Sequence, residues 1–260
     1  MTPINIKAFF REKESWQTRR KRRNRNRWWC MLRNKKRQLS DNDRIVRLTG
    51  PERVRRRPAV IFCTNDHKGA MKAVEMLLDI FVQEASVGHS SLLKLTLHKD
   101  GAITIEDNGQ GIYFGEDDQI WEALFCQLNP ASPYYETPRY NIFEPPAEEE
   151  RDNLEIHSVT CVSRYMDVQA NRDDYRYQLH FEKGLNQGGL RKEPDSSFPY
   201  TRFHFLLDPE VFTRITLSAF ALKKKMRSIA AQIPGLKTVF AKENAFGTKE
   251  KEFCFPKESV

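Results

Sequence analysis

Apolar and polar residues alternate over residues 102–106 and, more loosely, over residues 92–98. A period of two marks strands with one buried face. Lys99-Asp100-Gly101 between them supplies a turn, so the two runs read as a hairpin. Before the hairpin the period changes. Met71, Val74, Leu77, Leu78 and Phe81 recur at three- and four-residue spacing within residues 68–87, the stripe of a helix with one apolar face. Residues 117–128 and 152–163 read as two further helices, and residues 129–151, rich in Pro, Tyr and Glu, as the irregular loop between them. Residues 166–170 and 175–183 read as strands joined across Asn171-Arg172-Asp173-Asp174, and residues 202–207 as another strand. Residues 219–232 form a basic amphipathic helix, and the turn Pro234-Gly235 leads to a strand through Val239 and Phe240. This order predicts an α+β domain, a sheet with helices packed on one face. No internal repeat interrupts it.

Charge divides the chain in two. Through Arg57 there are 20 Lys or Arg against 5 Asp or Glu, a surplus of 15, so the remainder carries about −7 to give the net +8. Residues 1–46 hold the base-rich cluster Arg19, Arg20, Lys21, Arg22, Arg23, Arg25 and Arg27, followed by Trp28 and Trp29. Such a segment buries too little apolar surface to offset its ordering entropy, so an unfolded arm is expected, with residues 47–260 as the folded domain. Arginines that neutralise phosphates and tryptophans that stack on bases fit a DNA-binding arm. The bland alternatives are a solvated tail, or an upstream stretch before a start at Met31.

The 260 residues suffice for a substantial core, and no apolar run approaches the ~20 residues of a membrane span. No apolar segment of the secretory kind follows the first charges. The five cysteines, Cys30, Cys63, Cys126, Cys161 and Cys254, are scattered and form no CxxC pair. Buried reduced thiols in a cytoplasmic protein are the expectation.

The strand over residues 102–106 runs directly into Asp107-Asn108-Gly109-Gln110-Gly111. A carboxylate at a strand end can accept a hydrogen bond from an exocyclic amine, and the glycines let backbone approach a ligand closely. Upstream stand Glu52-Arg53-Val54-Arg55-Arg56-Arg57-Pro58 and the helix ending Gln83-Glu84-Ala85-Ser86-Val87-Gly88-His89. In order, spacing and wording, these segments resemble the ATPase domain of DNA gyrase B and of its topoisomerase IV counterpart, from about Arg47 onward. These belong to the GHKL group, whose fold is a two-layer Bergerat-type sandwich.

The resemblance implies an ATP site with Asp107 reading the adenine amine, Gly109 and Gly111 as its two glycines, Ile105 on the same strand, and Thr201 supporting the acid through its hydroxyl. It implies that Glu84 pairs with the early arginine segment. The chemistry of hydrolysis is not matched. The family's general base falls on Met76, whose thioether cannot take a proton. Glu75, one residue away, points about 100° round the helix. The family's Mg²⁺-holding asparagine falls on Ile80, which offers no oxygen. The next family acid falls on Gln83. Phe81 and Phe203 stand where the family has small residues, and two rings there can fill the base space from inside. The glycine-rich lid that wraps the triphosphate corresponds to residues 129–151, where Pro145 and Pro146 lack N–H donors and Glu148, Glu149 and Glu150 repel phosphate. No segment resembles the family's transducer, TOPRIM or tail domains.

Three readings follow. The first is a degenerate, bacterial-type relative of the gyrase B ATPase domain, a pseudo-ATPase acting by binding nucleotide, DNA or a gyrase or topoisomerase IV partner. In that family the ATPase lobe dimerises through an N-terminal arm, so a homodimer through residues 1–46 is implied. The second is an ATP-hydrolysing topoisomerase subunit with shifted motifs, using Glu75 or Glu84 and Asp79 with Mg²⁺. The third is a nucleic-acid-binding module on this scaffold, with residues 19–37, 53–57 and 223–227 as its basic footprint.

Overall fold

The computed structural model describes residues 48–114, 119–126 and 154–256. Helix α1 (Gly50–Arg56) opens on a capping box: the Thr49 hydroxyl accepts the Glu52 N–H, and the Glu52 carboxylate accepts the Thr49 N–H at 2.8 Å. Pro58 starts α2 (Pro58–Phe62), and Asp66 caps α3 (His67–Ser86), accepting the Lys68 N–H at 2.9 Å. The hairpin β1 (Leu92–Leu97) and β2 (Ile103–Asp107) follows, then α4 (Gln119–Cys126) and α5 (Leu154–Val162). Next come β3 (Ser163–Arg172), β4 (Tyr175–Glu182), β5 (Leu185–Asn186), β6 (Arg191–Pro194) and β7 (Tyr200–Leu207). Helix α6 (Ala219–Gln232), β8 (Lys237–Asn244) and β9 (Gly247–Phe253) complete the order.

The nine described strands make one mixed sheet, ordered β5-β4-β3-β7-β2-β1-β8-β9, with β6 also on β4. Among them only the β1–β8 contact is parallel; the remaining pairings are antiparallel. One face of the sheet presents Leu93, Leu95, Ile103, Ile105, Phe203 and Phe205, all fully buried together with Leu77, Leu78 and Phe81 of α3. This is the α+β sandwich with helices over one face of a mixed sheet.

Several boundaries shift from the sequence expectation. Strand β3 runs three residues further toward the N-terminus and two further toward the C-terminus than 166–170, because α5 passes into it without a loop. The turn after it tightens to Asp173-Asp174, both at positive φ (53° and 63°), a hairpin geometry that Asp tolerates. The short elements α1, β6 and β9 were not legible. In α1 only Val54 is buried, and β6 is exposed along its whole length, so neither carries a hydrophobic period. Strand β9 ends the sheet with Lys249, Glu250, Lys251 and Glu252 all exposed; Glu250 pairs with Lys94 and Glu252 with Lys237. The expectation of buried thiols holds, among the described cysteines, for Cys161 alone: Cys126 is half-buried, and Cys63 and Cys254 are exposed. No described helix is long and apolar enough to cross a membrane.

Candidate functional site

Asp107 closes β2 opposite Thr201 on β7. Its Oδ1 accepts the Thr201 backbone N–H at 3.1 Å. The expected support through the Thr201 hydroxyl is therefore corrected: the backbone amide does that work, because the cross-strand register puts it opposite the carboxyl. Asp107 Oδ2 and Thr201 Oγ1 are both buried and have no hydrogen-bond partner among the described residues. Burial pushes the Asp107 carboxyl up to about 7; the Gly109 N–H pulls it down, and the Glu84 carboxylate raises it again.

The loop after β2 is held tightly. Asn108 Oδ1 accepts the Ser91 and Leu92 N–H groups at 3.0 and 2.8 Å, tying the loop to the start of β1. A Cβ on Gly109 would stand 2.7 Å from Asp107 Oδ2 and 3.1 Å from Glu84 Oε1, so only glycine passes between the two carboxyls. Glu84 is fully buried; its Oε1 accepts the Gln110 N–H at 3.3 Å, and its Oε2 faces His89 Nδ1 at 3.5 Å. The expected pairing of Glu84 with the early arginines is corrected too. Arg55 instead donates to Asp208 Oδ2 at 2.7 Å, the Cys161 carbonyl at 3.1 Å and Glu210 Oε2 at 3.3 Å, because α1 lies against α5 and the end of β7.

Above the strands, Ile105 lies opposite Phe203, and Phe203 meets Phe81 edge-to-face with centroids 5.3 Å apart. On α3, Met76 is 6% exposed and Ile80 5%, both within the core cluster. Glu75 is half-buried, and Asp79 accepts a hydrogen bond from Lys225 of α6 at 3.1 Å.

No protein-family profile matches the chain. The DNA gyrase B protein of Thermotoga maritima is 27% identical over 212 residues, 80% of this chain and 32% of that protein. The DNA topoisomerase 4 B protein of Bacillus subtilis is 27% identical over 205 residues, 76% of this chain and 30% of that protein. A solved structure, the 43K ATPase domain of Thermus thermophilus gyrase B in complex with an aminocoumarin, superposes with a TM-score of 0.66 at 25% identity, covering 80% of this chain and 52% of that one. The domain is of the gyrase B ATPase type. The chain spans about a third of the length of the curated relatives it matches.

Within this gyrase-B-type domain, sequence reasoning placed Asp107, Gly109, Gly111, Ile105 and Thr201, and the fold brings them together at the ends of β2 and β7. It missed the second buried carboxyl pointing at Gly109 and the role of Arg172. Arg172 donates from Nη1 to the Gly111 carbonyl at 3.1 Å, and its guanidinium lies over the Tyr113 ring, 5.3 Å from the centroid. Arg172 sits in a predicted turn 61 residues from Gly111 in sequence, so no local pattern marks it. The basic residues from Arg19 to Trp29 and the lid segment 129–151 lie outside the described residues. The two orphaned oxygens fit a base that offers a hydrogen-bond donor. The Met76 and Ile80 side chains do not fit a general base or a Mg²⁺ ligand.

Proposed function

We propose that this chain is a catalytically degenerate relative of the gyrase B ATPase domain that acts by binding rather than by ATP hydrolysis. The observation that carries the reading is the state of α3: Met76 and Ile80 are packed in the apolar core, and the neighbouring acid Asp79 is held by Lys225. A helix rotated to bring Glu75 and Asp79 to the site would expose both apolar side chains and break that ion pair, which disfavours hydrolysis with shifted motifs. What remains is a pair of buried oxygens without partners among the described residues, Asp107 Oδ2 and Thr201 Oγ1, suited to the amine of adenine. ATP supplies that amine when bound, and the residues here hold and orient the base alone. The curated relatives are components of DNA gyrase and topoisomerase IV, so a topoisomerase component or DNA is the natural partner class.

The test is calorimetric titration of the full chain with adenosine, ADP and ATP, with and without Mg²⁺, alongside Asp107→Asn. Magnesium-independent binding that Asp107→Asn abolishes supports a remnant base site. Magnesium-dependent binding with turnover overturns the reading. An aminocoumarin, the ligand of the Thermus thermophilus complex, is a second probe of the Asp107 site. One observation favours the nucleic-acid reading as well: α6 exposes Phe220, Lys223, Lys224 and Arg227 together. Phosphate contacts from that face and from residues 1–46 would give binding that falls steeply with salt, read by titrating duplex DNA at two ionic strengths.

A further inference from the structure

The sheet face turned away from the helices carries polar chemistry that the proposed function does not use. Cross-strand register sets His180, Asp167, His204 and Thr104 side by side on β4, β3, β7 and β2. Thr104 Oγ1, buried, lies 2.9 Å from His204 Nδ1 and 2.7 Å from His98 Nε2. The far nitrogen of His204, Nε2, lies 3.2 Å from the Tyr165 hydroxyl. The far nitrogen of His98, Nδ1, lies 3.0 Å from Glu243 Oε2.

Donor and acceptor rules fix the direction of every bond in this chain. An ionised carboxylate only accepts, so His98 Nδ1 carries the proton that faces Glu243. A neutral His98 then has a bare Nε2, which accepts the Thr104 hydroxyl proton. With its only proton committed, Thr104 Oγ1 accepts from His204 Nδ1–H. That leaves His204 Nε2 bare, and it accepts the Tyr165 hydroxyl proton. Four bonds therefore run one way, from Tyr165 to Glu243, with both histidines in the Nδ1–H form.

We infer that Tyr165, His204, Thr104 and His98 form a proton relay across the open sheet face, ordered toward Glu243, which reverses as one unit when a proton reaches His98. The step balances. A proton arriving at the Tyr165 oxygen releases the tyrosine proton to His204 Nε2. His204 passes its Nδ1 proton to Thr104 Oγ1, and Thr104 passes its own to His98 Nε2. His98 becomes an imidazolium held by Glu243, His204 ends neutral in the Nε2–H form, and Tyr165 now accepts.

The relay ends at His98, whose far nitrogen is closed by the Glu243 carboxylate at 3.0 Å. His98 faces Glu243 from β8 and the His204 ring, 5.2 Å away between centroids. His204 is pushed toward its neutral form first by burial, then by His98 and Arg202, with Asp167 and Asp100 pulling the other way. Tyr165 faces Asp100 and Asp167, and burial first, then these acids, keeps its hydroxyl protonated. Asp167 is itself occupied by His180 at 2.6 Å, which also lies 3.7 Å from Glu182.

Nitrogen-15 NMR of the full chain with labelled histidine reads both tautomers directly. At high pH both His98 and His204 are expected as Nδ1–H forms. On acidification His98 should gain its second proton while His204 exchanges completely to the neutral Nε2–H form at the same midpoint. Thr104→Val should uncouple His204 from His98, and Thr104→Ser should restore the coupling. A His204 that is Nε2–H at high pH, or that keeps its tautomer through the His98 titration, overturns the relay. These wild-type spectra decide by themselves, so a poorly folding Thr104→Val does not blunt the test.

Discussion

Asp107 is an acid kept in a place that resists its charge. Its carboxyl binds a proton more tightly in the folded chain (about 7) than in the unfolded one (3.8). Folding therefore loses stability as pH rises from about 4 through 7, by on the order of 4 kcal/mol for 1.36 kcal/mol per unit. Asp107→Asn removes that penalty. It is expected to raise the urea midpoint at pH 8 while leaving it nearly unchanged at pH 4, which denaturation curves at the two pH values would check. The same carboxyl must be ionised to be a pure acceptor for an amine, so adenosine affinity should rise with pH through about 7, as calorimetry across pH 6–8 would read. Gly111 is a second sharp position. It sits at φ +81°, and a Cβ would collide with the Asn171 carbonyl, whereas Gly189 at φ +76° has open space. Gly189→Ala should cost roughly 1 kcal/mol of backbone strain, and Gly111→Ala clearly more, compared by thermal unfolding.

At the scale of elements, α3 and its packing decide what the site can do. Phe81 is buried against Phe203, and Phe81→Ala should destabilise the fold by about 3–5 kcal/mol in equilibrium unfolding. Elements with a one-sided hydrophobic period were legible in the sequence. The stripe Met71, Val74, Leu77, Leu78 and Phe81 gave α3 to within a residue at each end, and alternation gave β1 and β2. Elements without that period were not: β9 has no buried residue, and α1 hides one valine behind arginines. The site was legible where it lies in one sequence stretch, Ile105 to Gly111. Its long-range members were not, because Glu84 reaches the Gln110 amide from α3 and Arg172 reaches the Gly111 carbonyl from the end of β3, contacts made by tertiary packing rather than by local spacing.

For the molecule as a whole, Arg55 joins α1 to the α5–β3 junction and to the end of β7 by way of the Cys161 carbonyl and Asp208. The Asp208 side chain is 3% exposed, so Arg55→Met would leave a buried carboxylate without its cation. The expected cost is about 3–5 kcal/mol, read from chemical denaturation at neutral pH. Burial raises the Asp208 carboxyl, but the Glu210 N–H and Arg55 outweigh it and hold the pKa below the usual value. The stability this acid contributes is therefore present at neutral pH and fades as pH falls through its depressed pKa. The last strand has a different consequence. Were two copies to join along β9 about a twofold axis through Glu250, Lys249 would face Lys251 and the two Glu250 carboxylates would meet; an axis through Lys251 would set Glu250 against Glu252. Either way like charges meet on neighbouring strands, so this border repels its own image and guards the crowded protein against growing into ribbons.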